Sequence, residues 1–159
     1  MSLQSELGLS NPIETRAHEA LMNVVLTGEL LAKEGHRLMR PLGLTDAQFN
    51  VLMLLKYQSE NGELSQTSLG NMLVVNRSNV TGLIDRLEQA GLVKRTADSG
   101  DRRVNKVRLT TAGQKLLGRA EKAYLARVEE VMGTLTNAEN AQLCSLLERI
   151  RRKLSDTGE

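Results

Sequence analysis

The sequence predicts a mainly α-helical protein with one small β-hairpin. Three observations predict it. Stretches at both ends of the chain carry apolar residues at helical spacing. Helix-cap signals recur through the middle. One segment, 92–110, switches to strand alternation around the turn-forming Asp98-Ser99-Gly100-Asp101.

Taken in order, Asn11-Pro12 opens the first helix. Ile13, Ala17, Ala20, Leu21, Val24, Val25, Leu31, Leu38 and Met39 form its apolar stripe, and Pro41 ends it near Arg40, a helix of roughly 25 residues. Thr45-Asp46-Ala47-Gln48 is a capping box, and the helix it starts buries Phe49, Leu52 and Leu55 before breaking at Ser59-Glu60-Asn61-Gly62. Ser65 caps a short helix over about 66–72, with Leu64 and Leu69 as staple partners. After Leu73-Val74-Val75, Asn76 caps a longer helix, stapled by Val75 and Val80, whose buried face is Val80, Leu83, Ile84 and Leu87. Gly91 stops it. The hairpin follows, with Val107 and Leu109 on one face. Thr110 or Thr111 caps the next helix, striped by Leu116, Leu117, Ala120, Ala123, Tyr124, Val128, Val131 and Leu135. A second capping box, Thr136 to Glu139, starts the last helix, whose stripe is Leu143, Leu146, Leu147, Ile150 and Leu154. Residues 155–159 are expected to fray.

Composition excludes several classes. The 159 residues suit one domain with a helical extension. A single cysteine forbids an intramolecular disulfide framework and points to a reducing, cytoplasmic compartment. Two histidines and one cysteine argue against a structural zinc site. No apolar run approaches the ~18–20 residues that span a bilayer, and no signal peptide opens the chain. Met1-Ser2-Leu3 carries no weight. There is no nucleophile elbow, phosphate-binding glycine loop, zinc motif or catalytic carboxylate pair, so an enzyme is not expected, nor any cofactor.

The net charge of +2 hides its distribution. Residues 1–44 sum to −1, 45–91 to −2, 92–115 to +5 and 116–159 to 0. A basic block on a near-neutral chain suggests a surface for a polyanion.

The order of elements sharpens that suggestion. A short capped helix, a turn, a longer capped helix and a basic hairpin make a winged helix-turn-helix. In that arrangement the second helix enters the major groove with its N-terminal residues at base edges. Here those residues are Asn76, Arg77, Ser78, Asn79 and Thr81. Arg reads guanine and Asn reads adenine in bidentate fashion. Asn76 also has a plain capping role, and Asp85 and Arg86 suit structural ion pairs. Ser65, Thr67, Arg86, Lys94, Arg102 and Arg103 complete the candidate DNA-binding set. The expected organisation is a reading head over 45–110 and a helical dimerisation region formed by 1–44 and 111–159.

The segment from Val75 to Arg95 resembles the recognition helix and first wing strand of the multiple-antibiotic-resistance regulator (MarR) family. Asp101-Arg102-Arg103 followed by Leu109-Thr110-Thr111-Ala112-Gly113 is similar to that family's wing signature. The resemblance covers roughly residues 13–155. It implies a homodimeric transcriptional regulator whose first and last two helices form the interface. It implies that Arg103 enters the minor groove and that Asp101 braces the wing through an arginine such as Arg86. It also implies a small aromatic or lipophilic effector as a partner, ringed by aliphatics and Met with only Phe49, Tyr57 or Tyr124 to stack on it. Two reading heads about one DNA turn apart, ~34–36 Å, would demand a pseudo-palindromic operator.

Two alternatives stand beside a ligand-responsive repressor. One is a redox-responsive regulator using Cys144, although a buried structural thiol is the expected state of that residue. The other is a non-specific architectural DNA-binding protein, distinguished by a lack of preference for any sequence.

Overall fold

The computed structural model describes residues 2–59, 61–73, 79–97 and 105–156. The described elements are α1 (Leu3–Glu6), α2 (Arg16–Met39), α3 (Asp46–Tyr57), β1 (Glu63–Ser65), α4 (Gln66–Met72), α5 (Val80–Gln89), β2 (Val93–Ala97), β3 (Asn105–Leu109), α6 (Thr111–Met132) and α7 (Asn137–Ser155), with a 3-10 turn over Arg40–Leu42. Two compact units hold them, 1–120 and 121–159.

In the first unit, local chemistry sets the helix limits. The first long helix starts at Arg16 rather than beside Pro12, because the Thr15 hydroxyl accepts the His18 amide at 3.1 Å and takes the cap. It ends at Met39, as Pro41 requires, and Gly43 turns the chain with φ 69°. The Thr45 capping box forms in full: Gln48 N donates to Thr45 Oγ1 at 3.2 Å, and Thr45 N donates to Gln48 Oε1 at 2.9 Å. The short α1, capped by Ser2, is an element the sequence reading omits.

The sheet has three strands, not two. Their order is β1-β3-β2, all antiparallel. Leu64, expected only as a staple, pairs across from Val107 and is buried with it. Alternation then divides the sheet: Leu64, Val93 and Val107 face the core, while Lys94 and Arg108 are neighbours on the exposed face. The core gathers Val51, Leu52 and Leu55 of α3, Leu69 of α4, Leu83, Ile84 and Leu87 of α5, Val93 and Val107 of the sheet, and Leu117 and Ala120 of α6.

In the second unit, the Thr136 capping box starts α7, with Glu139 N donating to Thr136 Oγ1 at 3.3 Å and Thr136 N donating to Glu139 Oε2 at 2.8 Å. Asn140 Nδ2 donates to the Met132 and Leu135 carbonyls at 3.2 and 3.3 Å, closing the α6–α7 turn. The apolar stripe of α7 is not covered: Leu143, Leu146, Ile150 and Leu154 are exposed, and Leu154 reaches 70 %. Cys144 is exposed as well, contrary to the buried thiol expected of it, because it lies beside a stripe that nothing in the single chain buries.

Candidate nucleic-acid interface

The helix-turn-helix is α4 and α5, and the wing is β2–β3. Ser65 caps α4: its Oγ accepts the Ser68 amide at 3.0 Å and lies 2.8 Å from Ser68 Oγ, so its hydroxyl serves the helix start. Thr67, the second residue of α4, is exposed. The described part of α5 is capped by Asn79, whose Oδ1 accepts the Gly82 amide at 3.2 Å. The cap expected at Asn76 lies outside the described residues, as do Arg77 and Ser78. Thr81 and Arg86 are exposed on α5, and Lys94 is exposed on β2. Asp101, Arg102 and Arg103 also lie outside the described residues.

At its far end, α5 is locked to the start of α6. Leu92 N donates to Leu87 O and Gly91 N to Glu88 O, both at 2.9 Å, with Gly91 at φ 70°. That pair of bonds is a Schellman motif. The Leu92 carbonyl then accepts the Thr110 amide at 3.0 Å, and the Thr110 hydroxyl donates to the Gly91 carbonyl at 2.6 Å. The same hydroxyl accepts the Gly113 amide at 3.0 Å, which makes Thr110, not Thr111, the cap of α6. The Leu-Thr-x-x-Gly signature thus has a structural cause: it seals the end of the second helix against the helix that follows the wing.

The paired acids of α5 find a partner that sequence reasoning missed. Asp85 and Glu88 bind Arg95 of β2. The Arg95 amide also donates to Glu88 Oε1 at 2.8 Å, and its Nε donates to Gln66 Oε1 of α4 at 3.3 Å. Arg86 makes no ion pair among the described residues. The backbone and side-chain hydrogen bonds from Arg95 hold the Glu88 carboxyl below its ordinary value of 4.5. Burial works against the Arg95 charge, but hydrogen bonds to Asp85 and Glu88 outweigh it and raise its pKa.

A depressed carboxylate stabilises the fold above its ordinary pKa, and that contribution is lost as pH falls through the folded value. Thermal stability is therefore expected to fall as pH drops below 4.5, through Glu88 and, in the same direction, through Glu139, whose carboxyl is lowered by the Thr136 amide and hydroxyl. Melting curves of Glu88→Gln against pH should show a shallower acid loss than the parent chain. Superimposable profiles would contradict the assignment.

The described helices and three-stranded sheet define a winged helix protein. A family model described as MarR family matches residues 44–104. The regulator FarR of Neisseria gonorrhoeae is 33 % identical over 124 residues, 75 % of this chain and 83 % of that protein. The chain belongs to the MarR family and is a DNA-binding transcriptional regulator, in a family that is not enzymatic. Among solved structures, AbsC, a MarR family regulator from Streptomyces coelicolor, superposes with a TM-score of 0.79 at 23 % identity, covering 92 % of this chain and 99 % of that one. Sco3205 from the same organism, solved in complex with DNA, gives 0.78 at 23 % identity, covering 91 % and 92 %. These comparisons favour neither the oxidant-sensing nor the architectural alternative. No helix among the described residues is long and apolar enough to cross a membrane.

Proposed function

We propose that the chain is a site-specific repressor that binds a pseudo-palindromic operator as a homodimer in the cytoplasm. The observation that carries the reading is a reading head joined to long helices with open apolar faces. Leu21, Val24, Val25, Leu30 and Leu31 of α2 are exposed, and so are Leu143, Leu146 and Ile150 of α7. Apolar rows of that kind mark interfaces, and a two-fold dimer is the commonest way to cover them. In this reading 1–44 and 111–159 form the dimerisation region, and 45–110 the reading head.

Asn76, Arg77, Ser78, Asn79 and Thr81 read the major groove. Thr67, Arg86 and Lys94 hold phosphates, Ser65 fixes the start of α4 beside them, and Arg102 and Arg103 arm the wing. Asp101 braces the wing, and Arg86 is exposed and without an ion pair among the described residues. A small aromatic or lipophilic effector tunes binding. Phe49 is 4 % exposed inside the core and is therefore closed to such a ligand.

Selection from a random duplex pool, followed by titration, tests the proposal. The selected operator should be held about 10³-fold or more tighter than random duplex. Affinity should fall steeply with salt as phosphate contacts release counterions. Arg77→Ala is expected to cost ~1–3 kcal/mol and relax one base position. Arg103→Ala should weaken operator binding beyond the loss of one rim charge, since a narrow A·T-rich minor groove concentrates negative potential on an inserted arginine. Equal affinity for operator and random duplex would establish the architectural reading instead.

A further inference from the structure

We propose that a cleft between the end of α3 and the start of α6 binds a small organic anion with an apolar body. The cleft has a volume of about 460 Å³, within the range of small-molecule sites. Its lining comes from α3, the turn before β1, β3 and α6, and no described residue of α2, α4 or α5 contributes. It is therefore apart from the helix-turn-helix and from the exposed apolar row of α2. Its occupancy does not depend on the site-specific reading.

Floor and rim differ in chemistry. Leu55 and Leu117 reach the cleft from the core, where they are 2 % and 1 % exposed, and half-buried Leu109 extends the floor. Exposed Lys56, Arg108 and Gln114 stand around it. The turn leaves the space open: Asn61 and Gly62 carry φ 56° and 79°, and a Cβ at Gly62 would meet nothing within 4 Å.

Charge selects the sign of the ligand. Among the described residues two cations line the cleft and no acid does. Glu63 pairs across from Arg108 in the sheet, but its carboxylate accepts the Thr96 hydroxyl at 3.1 Å. Arg108 makes no ion pair among the described residues. A guanidinium offers a planar fork of donors that fits a carboxylate or a phosphate monoester, and Gln114 adds an amide donor. An oxyanion head at Arg108 with an aliphatic chain on the leucines matches both halves of the lining. A wholly apolar ligand would leave the rim unused, and an inorganic anion would leave the floor unused.

The test titrates the full chain with hexanoate, hexyl phosphate, hexanol and inorganic phosphate, followed by amide NMR shifts. For amphiphiles of this size the expected dissociation constant is about 1 mM. Shifts should centre on Leu55, Arg108, Leu109 and Gln114. Hexanol and inorganic phosphate should each bind about tenfold or more weakly, since each lacks one half of the match. Tighter binding of hexanoate assigns the head as a carboxylate, and tighter binding of hexyl phosphate assigns it as a phosphate ester. Arg108→Gln should weaken both by about tenfold or more. Gln114→Glu, an exposed change on a helix, should also weaken both by placing a carboxylate on the rim, and it decides the matter if circular dichroism shows Arg108→Gln unfolded. Lys115→Gln removes the next cation on α6, which does not line the cleft, and should bind like the parent chain. Equal losses in Lys115→Gln and Arg108→Gln would mean diffuse attraction to surface charge and overturn the proposal. So would hexanol binding as tightly as hexanoate, inorganic phosphate binding as tightly as hexyl phosphate, or shifts centred elsewhere.

Discussion

Replacing Gly113 by alanine is expected to destabilise the reading head by about 3 kcal/mol, at the upper end of the range for overpacking. A Cβ at this position would stand 2.0 Å from the Leu92 carbonyl oxygen and 2.9 Å from its carbon. No rotamer relieves such a clash, because both atoms are backbone. The obstructing carbonyl cannot withdraw without loss, since it accepts the Thr110 amide and belongs to the Schellman end of α5. Relief therefore requires α6 to move away from the end of α5, which strains the Thr110 bonds to Gly91 and Gly113. For a chain of this size the loss corresponds to a fall of roughly 6–12 °C in melting temperature. Calorimetry on Gly113→Ala, beside Gly118→Ala as a control with nothing within 4 Å of its Cβ, checks it. Equal melting of the two variants would refute the close approach.

The same position shows how far local sequence carries. The capping boxes at Thr45 and Thr136 were legible because donor and acceptor lie three residues apart. The Leu-Thr-x-x-Gly motif was legible as a pattern, but its cause depends on Leu92, which sequence places in a different element. β1 was missed because three residues carry almost no periodicity, and its pairing of Leu64 with Val107 is wholly non-local. The first helix starts later than Pro12 suggests because Pro12 and Thr15 both signal a start, and the hydroxyl bond to His18 decides between them.

The ion pairs were legible in part. Asp85 and Arg86 both suit structural ion pairs from sequence; Asp85 makes one, with Arg95, and Arg86 makes none among the described residues. Arg95 was counted only within the basic block, although two acids of α5 engage it. Its signal was present: acids three apart on a helix, and an arginine in the strand that follows the helix stop. Reading that signal required knowing that the strand folds back beside the helix. Cys144 illustrates the opposite limit, since the burial of a residue beside an open stripe depends on what covers the stripe.

That stripe supports the second large effect. Leu146→Glu combined with Ile150→Glu is expected to yield a folded monomer with operator affinity reduced by ~10²–10⁴-fold. Both side chains are exposed in the single chain, at 44 % and 47 %, so the introduced carboxylates remain solvated and the subunit's core is untouched. In a dimer that covers α7, the same carboxylates would be desolvated opposite apolar surface without partners, which opposes assembly. The affinity loss follows from linkage. Two tethered heads make the second half-site contact intramolecular, and a monomer forfeits that effective concentration. Binding to random duplex by a single head should change far less, because it depends on phosphate attraction that the substitution leaves in place. Sedimentation, circular dichroism and operator titration together decide the matter. A folded dimer with parental operator affinity would show that α7 is not the interface, and a monomer with parental affinity would show that pairing is not needed to read the site.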